Sequence, residues 1–198
     1  MNMFFDIMQA IFWSTTYILI IIFNKKYKHT AMPFFALCNN FAWESVAFFR
    51  DITHFSMNYG FLIHIAWFTL DLIIVYTYLR YCEKMYFKKS YIMVCYIISL
   101  IVFSLSFRYL GSGMLITSFI IDFTMALEYF LFSSKKAFYA NKLSVVICLT
   151  KLIGDLCAWI SYMDSSVFVL IIGLPILVLN ILCSINIIKR SFSSKALK

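Results

Sequence analysis

Seven long apolar runs, joined by short polar connections whose basic residues alternate between many and few, constrain this chain more than any other feature. The runs span about Phe4–Phe23, Ala31–Phe49, Phe61–Tyr81, Tyr91–Phe107, Met114–Phe132, Leu143–Tyr162 and Val167–Ile188. Each is close to the length, roughly 17–25 residues, that crosses a bilayer as an α-helix. Lys25, Lys26 and Lys28 follow the first run; Arg80, Lys84, Lys88 and Lys89 mark the end of the third. Lys135, Lys136 and Lys142 follow the fifth, and Lys189, Arg190, Lys195 and Lys198 follow the last. The even connections hold only Arg50 and Arg108. Basic residues collect on the cytoplasmic side of a membrane protein. The alternation therefore predicts an all-α integral membrane bundle of seven transmembrane helices, with the N-terminus outside or lumenal and the C-terminus cytoplasmic. The expected organisation is one domain over 1–190 and a basic cytoplasmic tail over 191–198. The expected location is multi-pass, in a bacterial inner membrane or the endoplasmic reticulum.

Composition narrows the function classes. Of the 198 residues, 63% are hydrophobic and 13% charged, which excludes an ordinary soluble domain. The net charge of +8 sits in the connections, so the expected partner is the lipid bilayer and not nucleic acid. The 6 cysteines form no metal-binding spacing and read as small buried hydrophobes, so no metal is expected. The first run lacks a basic n-region and a cleavage site, and reads as an uncleaved span. Pro33 stands near the start of the second run, where proline is tolerated. Gly173 and Pro175 lie inside the seventh and predict a kink. The sequence carries no signal for an oligomeric state.

The polar groups inside the runs point to chemistry. Glu44, Asp71, Asp122, Glu128, Lys151 and Asp155 fall within them, and intramembrane charges face the bundle interior. Asn40 lies one helical turn before Glu44 on the same face, with Phe41 and Phe48 flanking it. His64, Trp67, Asp71 and Tyr78 form a stripe on the third run. Lys151 and Asp155, at i and i+4, read first as a self-neutralising pair; Cys148 and Tyr162 continue that face. Asp71 and Asp122 read either as acceptors for a neighbouring helix or as site residues, Glu128 as a snorkelling surface group, and His64 as a buried donor. Glu44 is the exception, since its own helix offers only Asn40 as a partner.

A carboxyl group in an apolar chamber favours its neutral form and can act as a general acid. Aromatic faces such as those of Trp43, Trp67 and Phe48 would stabilise a developing cation. The same ingredients also fit a small proton- or solute-binding transporter with Pro33 and Pro175 as hinges.

Asn40-Phe41-Ala42-Trp43-Glu44 resembles the N-x-x-W-E signature on the second helix of the small integral-membrane terpene cyclases of fungal meroterpenoid and indole-diterpene pathways, a family with bacterial relatives. Trp67-Phe68-Thr69-Leu70-Asp71 resembles its W-x-x-x-D, and Lys151-Leu152-Ile153-Gly154 its basic-x-x-G on the sixth helix. The resemblance implies a seven-helix enzyme that cyclises a prenylated, often epoxidised, polyene without a cofactor. It implies a catalytic acid at Glu44, with Asp71 and either Asn180 or Asp155 assisting. Asn40, Trp43, Phe48, His64, Trp67 and Lys151 would contact the hydrophobic substrate. The family's second acid stands on helix 7, where this chain has no Asp or Glu and Asn180 is the nearest polar candidate. Asp155 stands where the family more often has a small residue.

Overall fold

A computed structural model describes residues 3–53, 59–81, 89–109, 113–135 and 140–193. They form seven helices: α1 (Met3–Tyr27), α2 (Phe34–Thr53), α3 (Tyr59–Tyr81), α4 (Lys89–Tyr109), α5 (Gly113–Ser134), α6 (Lys142–Tyr162) and α7 (Val167–Ser193). A single 3₁₀ turn, Met163–Ser165, links α6 to α7. No strand occurs among the described residues. A backbone surrounded by lipid must satisfy its own hydrogen bonds, and helices do so within each segment. The helices match the apolar runs in number and order. Residues 194–198 of the expected tail, and Cys82, lie outside the described residues.

Six of the seven helices are long and apolar enough to cross a membrane; α2 is not among them. The cause is its polar content, Asn39, Asn40, Glu44, Ser45, Arg50 and Asp51 within one helix. The bundle compensates by surrounding α2. It packs on α3, α4 and α5, and half of its residues are buried. Asn39 accepts a hydrogen bond from Ser99 of α4 at 2.6 Å, and the Ser45 and Tyr96 hydroxyls meet at 3.1 Å.

The packing closes a ring. Helix α1 contacts α6, α6 contacts α7, α7 contacts α5, α5 contacts α2, α2 contacts α3, and α3 returns to α1. Helix α4 lies outside this ring against α2 and α5, and presents Met93, Val94, Ile97, Ile98, Ile101 and Val102 outward. An exposed apolar face of this kind suits lipid, not water.

One end of the ring is solid. Ile20, Phe23, Met32, Leu37, Ile74, Tyr78, Met125, Ile147 and Ile187 are all fully buried there. The α1–α2 connection seals it. Lys28, at φ 52°, turns the chain out of α1. The Asn24 side chain accepts from the Ala31 N–H at 3.0 Å and donates to Thr77 of α3 at 3.3 Å. Glu128 is not a snorkelling surface group. Its Oε2 accepts the Ala36 N–H at 2.9 Å, so α5 supplies an acidic cap to the start of α2. Arg190 of α7 donates to the carbonyls of Ser133 and Lys135, both at 2.7 Å, and closes the end of α5.

Gly173 of α7 exists for a close approach. A Cβ there would fall 1.9 Å from the Trp159 indole of α6. Valine at position 173 should therefore cost about 1–3 kcal/mol from overpacking, more than any gain in helix propensity. The melting temperature of the detergent-solubilised Gly173→Val protein should fall clearly below that of wild type; an unchanged value would show that α6 and α7 do not meet in this way.

Candidate active site

Within the ring lies a cavity of about 560 Å³, partly open to the outside and lined by α1, α2, α3, α5 and α6. Gly60, Met114 and Tyr162 line it at one end, near the starts of α3 and α5 and the end of α6. Tyr17, Asn40, Glu44 and Asp122, all near the middles of their helices, line its deeper part. Trp13, Trp43, Trp67 and Phe119 supply most of the aromatic wall.

Asn40 organises the floor. Its amide donates to Tyr17 Oη at 2.6 Å and to Asp71 Oδ2 at 2.7 Å, so one α2 side chain ties α1 and α3 together. Asp71 is fully buried behind this amide and does not line the cavity. Glu44, one turn further along α2, is 2% exposed, and its Oε2 has no hydrogen-bond partner among the described residues. Asp71 Oδ1 and Asp155 Oδ1 are likewise without a partner among the described residues, but of the three only Glu44 lines the cavity.

The indoles are held by polar handles. Trp43 Nε1 donates to Thr117 Oγ1 at 3.1 Å, and Trp67 Nε1 donates to Ser14 Oγ at 3.1 Å. Trp43 also makes edge contacts with His64 and Phe107. His64 Nδ1 lies 2.6 Å from Asp51 Oδ2, so the histidine pairs with the end of α2 while it lines the cavity.

Lys151, Asp155 and Asn180 form a separate knot next to this chamber and are not among its lining residues. Lys151 Nζ donates to Asp155 Oδ2 at 2.6 Å and to Asn180 Oδ1 at 3.2 Å, and Asn180 Nδ2 donates to Asp155 Oδ2 at 2.6 Å. Trp13 joins the two regions. Its ring lies 5.2 Å from the Lys151 ammonium and packs edge-on against Tyr17. Gly154 makes room for it, since a Cβ there would stand 3.0 Å from the indole.

Of the residues expected from sequence, Asn40, Trp43, Glu44, His64 and Trp67 therefore meet at the cavity. Asp71 supports it through Asn40, and Lys151, Asp155 and Asn180 sit together beside it. Phe48 turns away and stacks on Phe68 at 4.6 Å. Sequence reasoning missed the α1 wall of Asp6, Gln9, Trp13 and Tyr17. Their spacings of three and four residues are the helical stripe that was followed on the third run, so the signal was present. Asp6 is itself buried and accepts a hydrogen bond from Ser161 of α6. No cluster of His, Cys, Asp and Glu among the described residues is arranged to hold a metal ion.

Buried carboxyl groups at an aromatic cavity inside a bundle of long apolar helices define a class: a multi-pass membrane protein with a polar-lined internal site. The profile of Pyr4-like transmembrane terpene cyclases matches residues 1–119, and the chain belongs to that family. No curated protein and no solved structure matches it. The matched part carries Asn40, Trp43, Glu44, Trp67 and Asp71, whereas Asp122 and the Lys151–Asp155–Asn180 knot lie beyond it. Membership supports a terpene cyclase-like role in general.

Removing one member of a buried ion pair leaves an uncompensated charge, at about 3–5 kcal/mol. Lys151→Met should therefore destabilise the solubilised protein strongly, and Lys151→Met combined with Asp155→Leu should recover much of the loss. Equal melting temperatures for the single and double variants would show that the pair is not self-neutralising.

Proposed function

We propose that this protein is an acid-initiated cyclase for a prenylated polyene or its terminal epoxide, with Glu44 as the proton donor. The observation that carries the reading is the unpartnered Glu44 oxygen on the wall of a cavity otherwise built largely from aromatic and aliphatic side chains. A carboxyl group that receives no hydrogen bond and no cation is suited to carry a proton and deliver it to an epoxide oxygen or alkene. The faces of Trp43, Trp67 and Trp13 would accommodate the resulting cation. Exclusion of water would protect it from capture. Asn40 and Asp71 would fix the floor under the acid and have no direct part in the chemistry. No cofactor is required, because the substrate and product are isomers.

The transporter reading requires a path from both faces. The lining residues reach only one end of the bundle, and the other end is filled by Phe23, Met32, Leu37 and Tyr78. That asymmetry favours a reaction chamber. The bilayer is both the environment of the protein and the source from which an apolar substrate would arrive.

Membranes containing the protein, incubated with epoxidised prenylated polyenes, should yield cyclised isomers. Glu44→Gln removes the proton but keeps the shape, and should lower turnover by about 10²–10⁴-fold. Undiminished turnover by Glu44→Gln would remove Glu44 as the acid.

A further inference from the structure

A cyclisation that begins with a proton from the protein ends by returning one, and the fold identifies a second carboxyl group for that step. Resting on the cyclase reading above, we propose that Asp122 of α5 is the base that removes the terminal proton from the cyclised cation.

Among the described residues, three carboxyl groups line the cavity: Asp6, Glu44 and Asp122. Asp6 lies near the start of α1 and is engaged by Ser161. Asp71 is shut off behind Asn40, and Asp155 is bound by Lys151 and Asn180. Helix α7 has no acidic residue. Among the described residues, only Asp122, besides Glu44, combines a position deep in the chamber with a carboxyl group that no other side chain is shown to occupy.

Its depth follows from the register of α5 on α2. Thr117 bonds to Trp43, and Glu128 bonds to the Ala36 N–H, so the two helices run antiparallel between these points. Asp122 then falls level with Asn40, one turn deeper than Glu44 and roughly 6 Å away along the axis at 1.5 Å per residue. That displacement is comparable to a small fused ring system. The start and the end of a short cascade can therefore each face a different carboxyl group.

The step balances as follows. Glu44 gives its proton to the epoxide oxygen and the C–O bond breaks. Alkene electron pairs form the new C–C bonds, each leaving a cation at the next carbon. The last cation loses a proton from an adjacent C–H, whose electron pair becomes the product alkene, and Asp122 receives that proton. Tyr17 lines the same cavity as Glu44 and Asp122. Its oxygen accepts from Asn40 and is joined to neither carboxyl group among the described residues, so the proton passes from Asp122 back to Glu44 through solvent once the product has left.

The test measures substrate loss and product composition for wild type, Glu44→Gln, Asp122→Asn and Asp122→Glu in membranes with an epoxidised prenylated polyene. Glu44→Gln should stop consumption. Asp122→Asn should still consume substrate but replace the main alkene with alkene isomers and water-captured alcohols. Asp122→Glu keeps a carboxylate and should shift the ratio among alkene isomers. A wild-type product ratio from both Asp122 variants, with Glu44→Gln still inactive, would overturn the role of Asp122 and leave the cyclase reading intact. Loss of all consumption in both Asp122 variants, at wild-type melting temperature, would also overturn it by placing Asp122 in initiation. No consumption by wild type would defeat the cyclase reading, and this proposal with it.

Discussion

The Asn40 amide is the interaction on which the chamber depends. Its two hydrogen bonds join α2 to α1 through Tyr17 and to α3 through Asp71. In a lipid environment such bonds have no water to compete with, and a polar side chain without them would drive the helix out of the bundle. Helix α2 is the least apolar of the seven, and it is held by interior partners of this kind. Its polar face is directed inward, and that inward face is where Glu44 stands. The same arrangement that makes a polar helix tolerable thus places a carboxyl group on the cavity wall.

Two treatments of buried charge lie side by side in this bundle. Lys151, Asp155 and Asn180 neutralise one another, with Trp13 and Tyr129 placed near the ammonium. None of the three lines the cavity, and Asp155 Oδ2 is held by both Lys151 and Asn180 while its Oδ1 has no partner among the described residues. Glu44 is the contrasting case, buried as deeply but on the cavity wall, with its Oε2 unpartnered among the described residues. Glu128 illustrates a third use, in which a carboxylate caps the start of a neighbouring helix.

Much of this was legible in the residues. Apolar length and the alternation of lysines gave seven helices in order, because lipid allows few alternatives for an apolar segment. Helical spacing correctly put Asn40 and Glu44 on one face and joined Lys151 to Asp155. Partners across helices were not legible: nothing local indicates that Asn180 completes the Lys151 knot, that Ala36 takes Glu128, or that Phe48 turns toward Phe68. Those pairings depend on which helices become neighbours, and a helical stripe shows only that a face is interior. The α1 stripe of Asp6, Gln9, Trp13 and Tyr17 is different, since its spacing was readable and the apolar character of the run concealed it.

The central claim is that Glu44 donates a proton to a polyene held in the chamber. Its most direct test is the affinity of an aziridine analogue of the epoxidised polyene, whose protonated nitrogen imitates the protonated epoxide, compared with that of the cyclopropane analogue. Transition-state mimics bind more tightly than ground-state shapes where the protein is built for the charge. The account predicts a clear preference for the aziridine in wild type that disappears in Glu44→Gln. Equal affinity for the two analogues in wild type, or a preference that survives Glu44→Gln, would contradict it.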